Sequence, residues 1–459
     1  MCVEKPDRKK ARWVVHGNKQ IKGLDYEDVY AATAKSGSIR ILLALTVLGD
    51  LKTRALDAID AFLNAGLVQE VYMHHPTGYG EKGTVCLIMK ALFGLCQSPR
   101  EWWQEISKKL KQMGFIQCQG DHSVYVNSQG VILMLYVDDI ALFAKDFNAI
   151  AAARTQLMQA YKMRDLGELR AFIGVQVVRL RDKVFIHQED YCRSILEKYG
   201  FTGQKTVRTP FEDKVVLKPR EDQCPETQLK KFQEMLGSAG WLVTQTRLDI
   251  AYAVNKLAQF NANPSDLAQE CMNHLYRYLN GTMDLGILFE KGSEILEGYT
   301  DSNWGDPNSL DKRSTSGYVF TLANAPISWS SRKQRTTATS TTEAEYIAQC
   351  NATKEAVYLR QFLQELGYHS EKPTIIHADN TGAIALAKNT VNHARTRHIE
   401  FQYHYTREKE ADGAIKLSYI PTVDMIADGL TKPLNSVKFA KFREQIGMKS
   451  LKDVMKDHI

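Results

Sequence analysis

The sequence predicts a multidomain chain of mixed α/β and α+β architecture, and three observations carry that expectation. The chain has 459 residues, whereas one hydrophobic core serves about 100 to 200. Short β-prone runs alternate with helical periodicity through residues 1–208 and again over 293–436, with a helical stretch between them. Apolar residues make up 44% and charged residues 24%, a globular balance that argues against a disordered chain.

The elements follow in order. Ile39 to Leu51 is apolar and helical in period, and LKTRALDAIDAFLNA from Leu51 reads as a strand running into a helical turn. Residues 131–144, VILMLYVDDIALFA, are two short apolar runs around Asp138 and Asp139, the pattern of a tight hairpin. Asn148 to Met163 and Gln188 to Tyr199 read as helices, with AFIGVQVVRL and KVFIHQ as paired strands between them. TPFEDKVVLKPREDQCPETQ, residues 209–228, is linker-like in composition. Helices then dominate to Asn280, broken at NANPSD. ILEGYTDS, GYVFTL and PISWSS read as three strands, followed by a long helix, the strand TIIHAD, a helix, the strand IKLSYI and a short helix. That order predicts a mixed sheet.

Basic residues exceed acidic ones by 59 to 53, and seven of them fall in the first 22 residues. Such a cluster suits phosphate contact, and suits a solvated arm equally. The eight cysteines include no C-x-x-C pair and no histidine at zinc-finger spacing, so neither a structural zinc nor a disulfide framework is expected. The N-terminus is charged where a signal peptide needs an apolar core, and the apolar stretch Val131 to Val137 is far short of the ~20 residues that span a bilayer. An intracellular, membrane-free protein is expected.

Adjacent aspartates at a hairpin tip repel one another unless a cation or protons intervene. A bare Asp-Asp between strands is most simply a turn; here it is accompanied by Asp57 in LDAIDAFLNA and by Phe62. The motifs KARWVVHG, RALDAIDAFLNA, VYMHHPTGYG, ALFGLCQSPREWW, YVDDI and DLGELRAFIGVQV, in that order, resemble the polymerase of copia-type LTR retrotransposons. The resemblance implies a right-hand polymerase of fingers, palm and thumb. By it, Asp57 and Asp138 hold two Mg²⁺ (or Mn²⁺) ions with Asp139 as a less direct third carboxylate. Lys10, Arg12, Phe62, Gln97 and Tyr136 contact the nucleotide or template-primer, and Phe62 lies under the sugar to exclude a 2′-hydroxyl. Trp102 and Trp103 are read as core, the commoner fate of such a pair.

In the second half, YTDSNWGD, RSTSGYVF, PISWSSRKQ, TEAEYIA, HADNTGAIALAKN, RTRHIE and IADGLTKPL resemble the RNase H domain of the same elements. Asp301, Glu343, Asp379 and Asp428 are then the ligands of two further ions, with His398 as a possible auxiliary. Glu343 also stands three residues after Ser340, which completes an S-x-x-E capping box, and Asp379 is placed to cap the helix after TIIHAD. TRLDIAYAVNKLAQF and YRYLNGT resemble the thumb and connection, with Arg247, Lys256 and Arg277 as candidate phosphate contacts.

The expected division is an incomplete fingers and palm over 1–208, a linker and helical thumb or connection over 209–292, an RNase H-like domain over 293–436 and a basic tail over 437–459. The expected partners are an RNA template, a DNA primer, an RNA–DNA hybrid and deoxynucleotides, in a cytoplasmic virus-like particle and in the nucleus. The chain starts almost at the KAR motif and carries no protease or integrase motif, so it reads as the C-terminal piece of a larger reading frame. A truncated relic, or a recruited nucleic-acid-binding protein without turnover, is the alternative.

Overall fold

The computed structural model describes residues 2–5, 8–11, 13–76, 78–81, 83–305, 311–388 and 404–456. They form two compact units, each assembled from separate stretches of chain. The first comprises Met1–Lys35, Leu51–Leu169 and Glu365–Gly367, and the second Ser36–Asp50, Arg170–Gln364 and Tyr368–Ile459.

The first unit is built on a six-stranded antiparallel sheet in the order Met163–Gly167, Lys52–Ala58, Asp139–Ala144, Ile132–Tyr136, Val124–Asn127, Phe115–Gln117. Leu133, Leu135, Ile140 and Leu142, alternate residues of the central hairpin, pack with Trp102, Ile106 and Leu110 of helix Ser98–Gln112 and with Ile150 and Leu157 of helix Phe147–Ala160. Ile132, Met134, Ala141 and Phe143 on the opposite face are buried too, which is why this stretch reads as a near-continuous apolar run.

The second unit contains two five-stranded sheets. One is antiparallel and runs Ala171–Phe172, Val175–Arg179, Lys183–His187, Leu285–Glu290, Met448–Ser450. The other is mixed, in the order Ala325–Lys333, Thr315–Leu322, Glu297–Asn303, Thr374–Ala378, Ile415–Tyr419, its first three strands antiparallel and the last two added in parallel. Strands paired by sequence thus take the order 3-2-1-4-5, with the 25-residue helix Thr341–Glu365 as the crossover.

Three expectations are revised. Residues 171–187, read with the palm, belong to a sheet of the second unit that also takes in 285–290 and 448–450. The stretch read as a basic tail is folded to residue 456. Helix Ser436–Gln445 is capped by Asn435, and Phe439, Phe442, Met448 and Val454 are buried. Arg247 and Lys256, read as phosphate contacts, are each 1% exposed.

The Arg247 guanidinium donates to both carboxylate oxygens of Asp249 at 2.9 Å, and to the carbonyl and hydroxyl of Thr282 at 2.8 Å. Tyr278 donates to Asp249 at 2.6 Å. All three nitrogens of that guanidinium bond within the protein, so the "TRLDI" segment forms an internal clasp between helices Glu226–Gln245 and Asp266–Asn280. Removing one partner of such a pair strands a buried charge, at a cost of about 3–5 kcal/mol. Asp249→Asn is therefore expected to lower the urea midpoint of the second unit sharply. A near-neutral effect in equilibrium denaturation would contradict the clasp.

Candidate active sites

In the first unit, Asp57 on strand Lys52–Ala58 lies directly opposite Asp139 in the antiparallel ladder, so both side chains leave the same face of the sheet. The hairpin closes through only two residues, because Tyr136 pairs with Asp139 and leaves Val137 and Asp138 as the turn. Val137 has φ +53°, the positive value that a II′ turn requires at its first position and normally meets with glycine. A β-branched residue there stores about 1–3 kcal/mol of strain. The Ala58 N–H donates to the Asp138 carbonyl at 2.8 Å, tying the turn to the strand that carries Asp57.

Burial, then the charges of Asp138 and Asp57, pushes the Asp139 carboxyl up to about 6. A cationic partner of the group is Arg164, whose Nη1 is 3.7 Å from Asp57 and whose side chain is half exposed. Three carboxylates thus converge at one end of the sheet.

The other residues read for the nucleotide separate into two sets. Tyr136 ends the first hairpin strand beside Asp139. Phe62, in the 3-10 turn Ala61–Asn64 that follows Asp57's strand, is half-buried, its ring edge-on to Phe93 at 4.9 Å. Gln97 is a correction: it is 1% exposed, accepts from Gln20 Nε2 at 3.1 Å and donates to the Asp25 carbonyl at 3.0 Å. Both ends of its amide are used inside the protein, so it braces residues 20–25 instead of facing a nucleotide. Lys10 lies on the short strand Arg8–Ala11. Arg12 lies outside the described residues.

The second unit gathers a separate acidic centre at one end of the mixed sheet. Asp301, 3% exposed, sits on the central strand Glu297–Asn303, whose parallel neighbour Thr374–Ala378 pairs Tyr299 with His377. Two residues further along each strand come Asp301 and Asp379, side by side. Ligand oxygens of Asp301, Glu345 and Asp379 all lie within 4.8 Å of one another, the grouping found among the described residues. Asp428, which opens the 3-10 turn Asp428–Leu430, adds its charge to Asp301 and pairs with Lys432 at 2.7 Å. Thr431 donates to Asp301, and Thr422 to Asp379 at 2.8 Å.

The glutamate of this centre is Glu345, not Glu343. Two helical residues apart place the two side chains about 200° around the axis. Glu343 is only partly buried, accepts from the backbone and hydroxyl of Thr339 at 2.7 Å, and its own N–H donates to Ser340 Oγ at 3.1 Å. It serves as the helix cap, the role its spacing from Ser340 also suggested. Glu345 is 6% exposed, accepts from the Ser302 N–H at 3.2 Å through one oxygen, and leaves Oε2 buried without a hydrogen-bond partner. Asp379 is not a cap either: the neighbouring Asn380 accepts from Ala383 N–H at 2.9 Å. His398 lies outside the described residues.

Burial, then the charge of Asp428, holds Asp301 above the usual carboxylate range; burial, then Asp301 and Asp379, does the same to Glu345. Burial works against the Lys432 ammonium, but Asp301 and Asp428 more than offset it and raise its pKa. A buried oxygen with no donor, amid oxygen-only ligands, fits a hard divalent cation such as Mg²⁺ or Mn²⁺.

Residues 3–213 match the family model described as "Reverse transcriptase (RNA-dependent DNA polymerase)". The chain belongs to the copia-type retrotransposon Pol family. It is 37% identical to the Retrovirus-related Pol polyprotein from transposon TNT 1-94 of Nicotiana tabacum, over 96% of this chain and 34% of that protein. It is 36% identical to the corresponding polyprotein from transposon RE1 of Arabidopsis thaliana, over 96% and 30%. The Ty1-GR2 Gag-Pol polyprotein of Saccharomyces cerevisiae is 28% identical over 93% and 25%. The chain thus spans about a third or less of the length of these relatives. Among solved structures, the N-terminal RNase H domain of rv2228c from Mycobacterium tuberculosis, fused to maltose binding protein, aligns with 33% of this chain and 95% of that one, at 13% identity and a TM-score of 0.22.

A carboxylate whose pKa rises on folding favours the folded state at low pH and loses that contribution as pH rises toward the folded value. In metal-free buffer, Glu345→Gln is therefore expected to raise the melting temperature at pH 8 and leave it nearly unchanged at pH 4. Mn²⁺ should stabilise the wild type and have much less effect on this variant. Glu343→Gln should cost at most about 1 kcal/mol as a lost cap and keep the full Mn²⁺ response. Loss of the response in Glu343→Gln would reverse the assignment.

Proposed function

We propose that the chain is an RNA-directed DNA polymerase joined to an RNase H, acting on an RNA template, a DNA primer, deoxynucleotides and the RNA–DNA hybrid they form. The observation that carries this reading is Asp57 opposite Asp139, with Asp138 in the strained two-residue turn just before Asp139. A second set of acids, Asp301, Glu345, Asp379 and Asp428, supports the nuclease.

In the polymerase, Asp57 and Asp138 would hold two Mg²⁺ or Mn²⁺ ions, and Asp139 would lend its charge from the adjacent strand. Such a pair of ions lowers the pKa of an attacking hydroxyl and stabilises the entering and leaving oxygens of an in-line displacement. Phe62, braced by Phe93, presents a ring too bulky for a ribose 2′-hydroxyl beside it. In the nuclease, Asp301, Glu345 and Asp379 would bind and orient the ions. Asp428 would complete the set while paired to Lys432, and a water would attack the RNA phosphodiester. The 2′-hydroxyl distinguishes the strand to be cut. A cleft of about 470 Å³ in the same unit, bordered by Arg332, Lys333, Arg335 and Lys354, offers charge for a nucleic-acid backbone.

The test is primer extension on an RNA template, run beside hydrolysis of a labelled hybrid. Asp138→Asn should abolish extension and spare hydrolysis, and Asp301→Asn should do the reverse. Phe62→Val should let ribonucleotides into the product. Tight template-primer binding with no extension by the wild type would overturn the polymerase reading, and a hybrid left intact would overturn the nuclease.

A further inference from the structure

Trp102 lies in the middle of helix Ser98–Gln112 and is 1% exposed. Its ring packs edge-on against Tyr161, the centroids 5.2 Å apart. Core packing accounts for the ring but not for the destination of its one polar atom. The indole N–H donates to the carbonyl oxygen of Val137 at 2.6 Å.

Val137 is the residue held at φ +53° in the turn that presents Asp138. Relaxation toward an ordinary negative φ would swing the peptide that follows it, and with it Asp138. Two hydrogen bonds oppose that motion: Trp102 to the Val137 carbonyl, and the Ala58 N–H to the Asp138 carbonyl at 2.8 Å. Both carbonyls of the turn are thereby pinned, one from a core helix and the other from the strand that carries Asp57.

We propose that Trp102 is a positioning residue for the polymerase centre, its indole N–H holding the left-handed Val137 turn in the conformation that sets Asp138 beside Asp57. The catalytic consequence rests on the polymerase reading, whereas the restraint on the turn does not. A glycine at 137 adopts positive φ without strain, so the restraint becomes dispensable in that background. This coupling distinguishes a restraint on the turn from simple packing of a large ring.

The experiment is a double-mutant cycle of Trp102→Phe with Val137→Gly, read in two ways. The first reading is amide hydrogen exchange at Ala58, which needs no turnover. Trp102→Phe should speed it about tenfold, and by less than about threefold when Val137→Gly is also present. The second is single-turnover extension, where kcat should fall about tenfold with the deoxynucleotide KM nearly constant, again less in the Val137→Gly background. Benzothienylalanine at 102, which keeps the bicyclic shape and lacks the N–H, should reproduce both effects even if phenylalanine disturbs folding. Equal costs in the two backgrounds, or unchanged Ala58 protection with benzothienylalanine, would overturn the proposal. Failure of extension by the wild type would count against the polymerase reading alone, with the exchange data still deciding the role of Trp102.

Discussion

Repulsion between carboxylates held close together is the constraint around which both units are arranged. Two charges 4.8 Å apart, the limit that encloses Asp301, Glu345 and Asp379, repel by roughly 3 kcal/mol at an effective dielectric near 20. Three such pairs amount to about 10 kcal/mol, comparable to the whole stability of a domain. The fold must therefore oppose this strain with rigid elements, and a bound cation would relieve it. The pKa values of Asp139, Asp301 and Glu345 are raised first by burial and then by the charges of their acidic neighbours.

The two units meet the constraint by different means. In the first, a β-ladder fixes Asp57 against Asp139, and a strained turn carries Asp138, so the geometry depends on hydrogen bonds to backbone carbonyls. In the second, parallel strands bring Asp301 and Asp379 to the same sheet end, and a helix contributes Glu345 from above. Gln334 braces the junction, donating to Ser302, Ser316 and the Ala344 carbonyl. Lys432 is the local cation of this centre, and the more exposed Arg164 has that place near Asp57.

Much of this was legible in the sequence, because two short apolar runs around the Asp-Asp pair mark the hairpin and the strand–helix order of 295–430 marks the mixed sheet. Positions decided by helical phase were harder. Glu343 and Glu345 are chemically alike, and the choice turned on which lay on the buried face with Gln349, Ala352 and Ala356. The capping box from Ser340 was the signal that Glu343 was already engaged. Gln97 and Arg247 looked available as polar residues in familiar motifs, yet Gln97 bonds to Gln20 and the Asp25 carbonyl, and Arg247 bonds to Asp249 and to the distant Thr282, pairings that the motifs do not reveal. Trp102 was correctly read as core, and only the structure shows where its N–H points.

The central claim is that one chain builds two separate cation centres. Fe²⁺ can replace Mg²⁺ at oxygen-ligand sites and, with ascorbate and peroxide, cuts the backbone next to where it binds. Mapping those cuts by mass spectrometry tests the claim most directly. The account predicts two families of cuts, one around residues 57 and 137–139 and the other around 301, 345 and 379, both suppressed by excess Mg²⁺. Cuts confined to one centre, or clustered elsewhere, would contradict it.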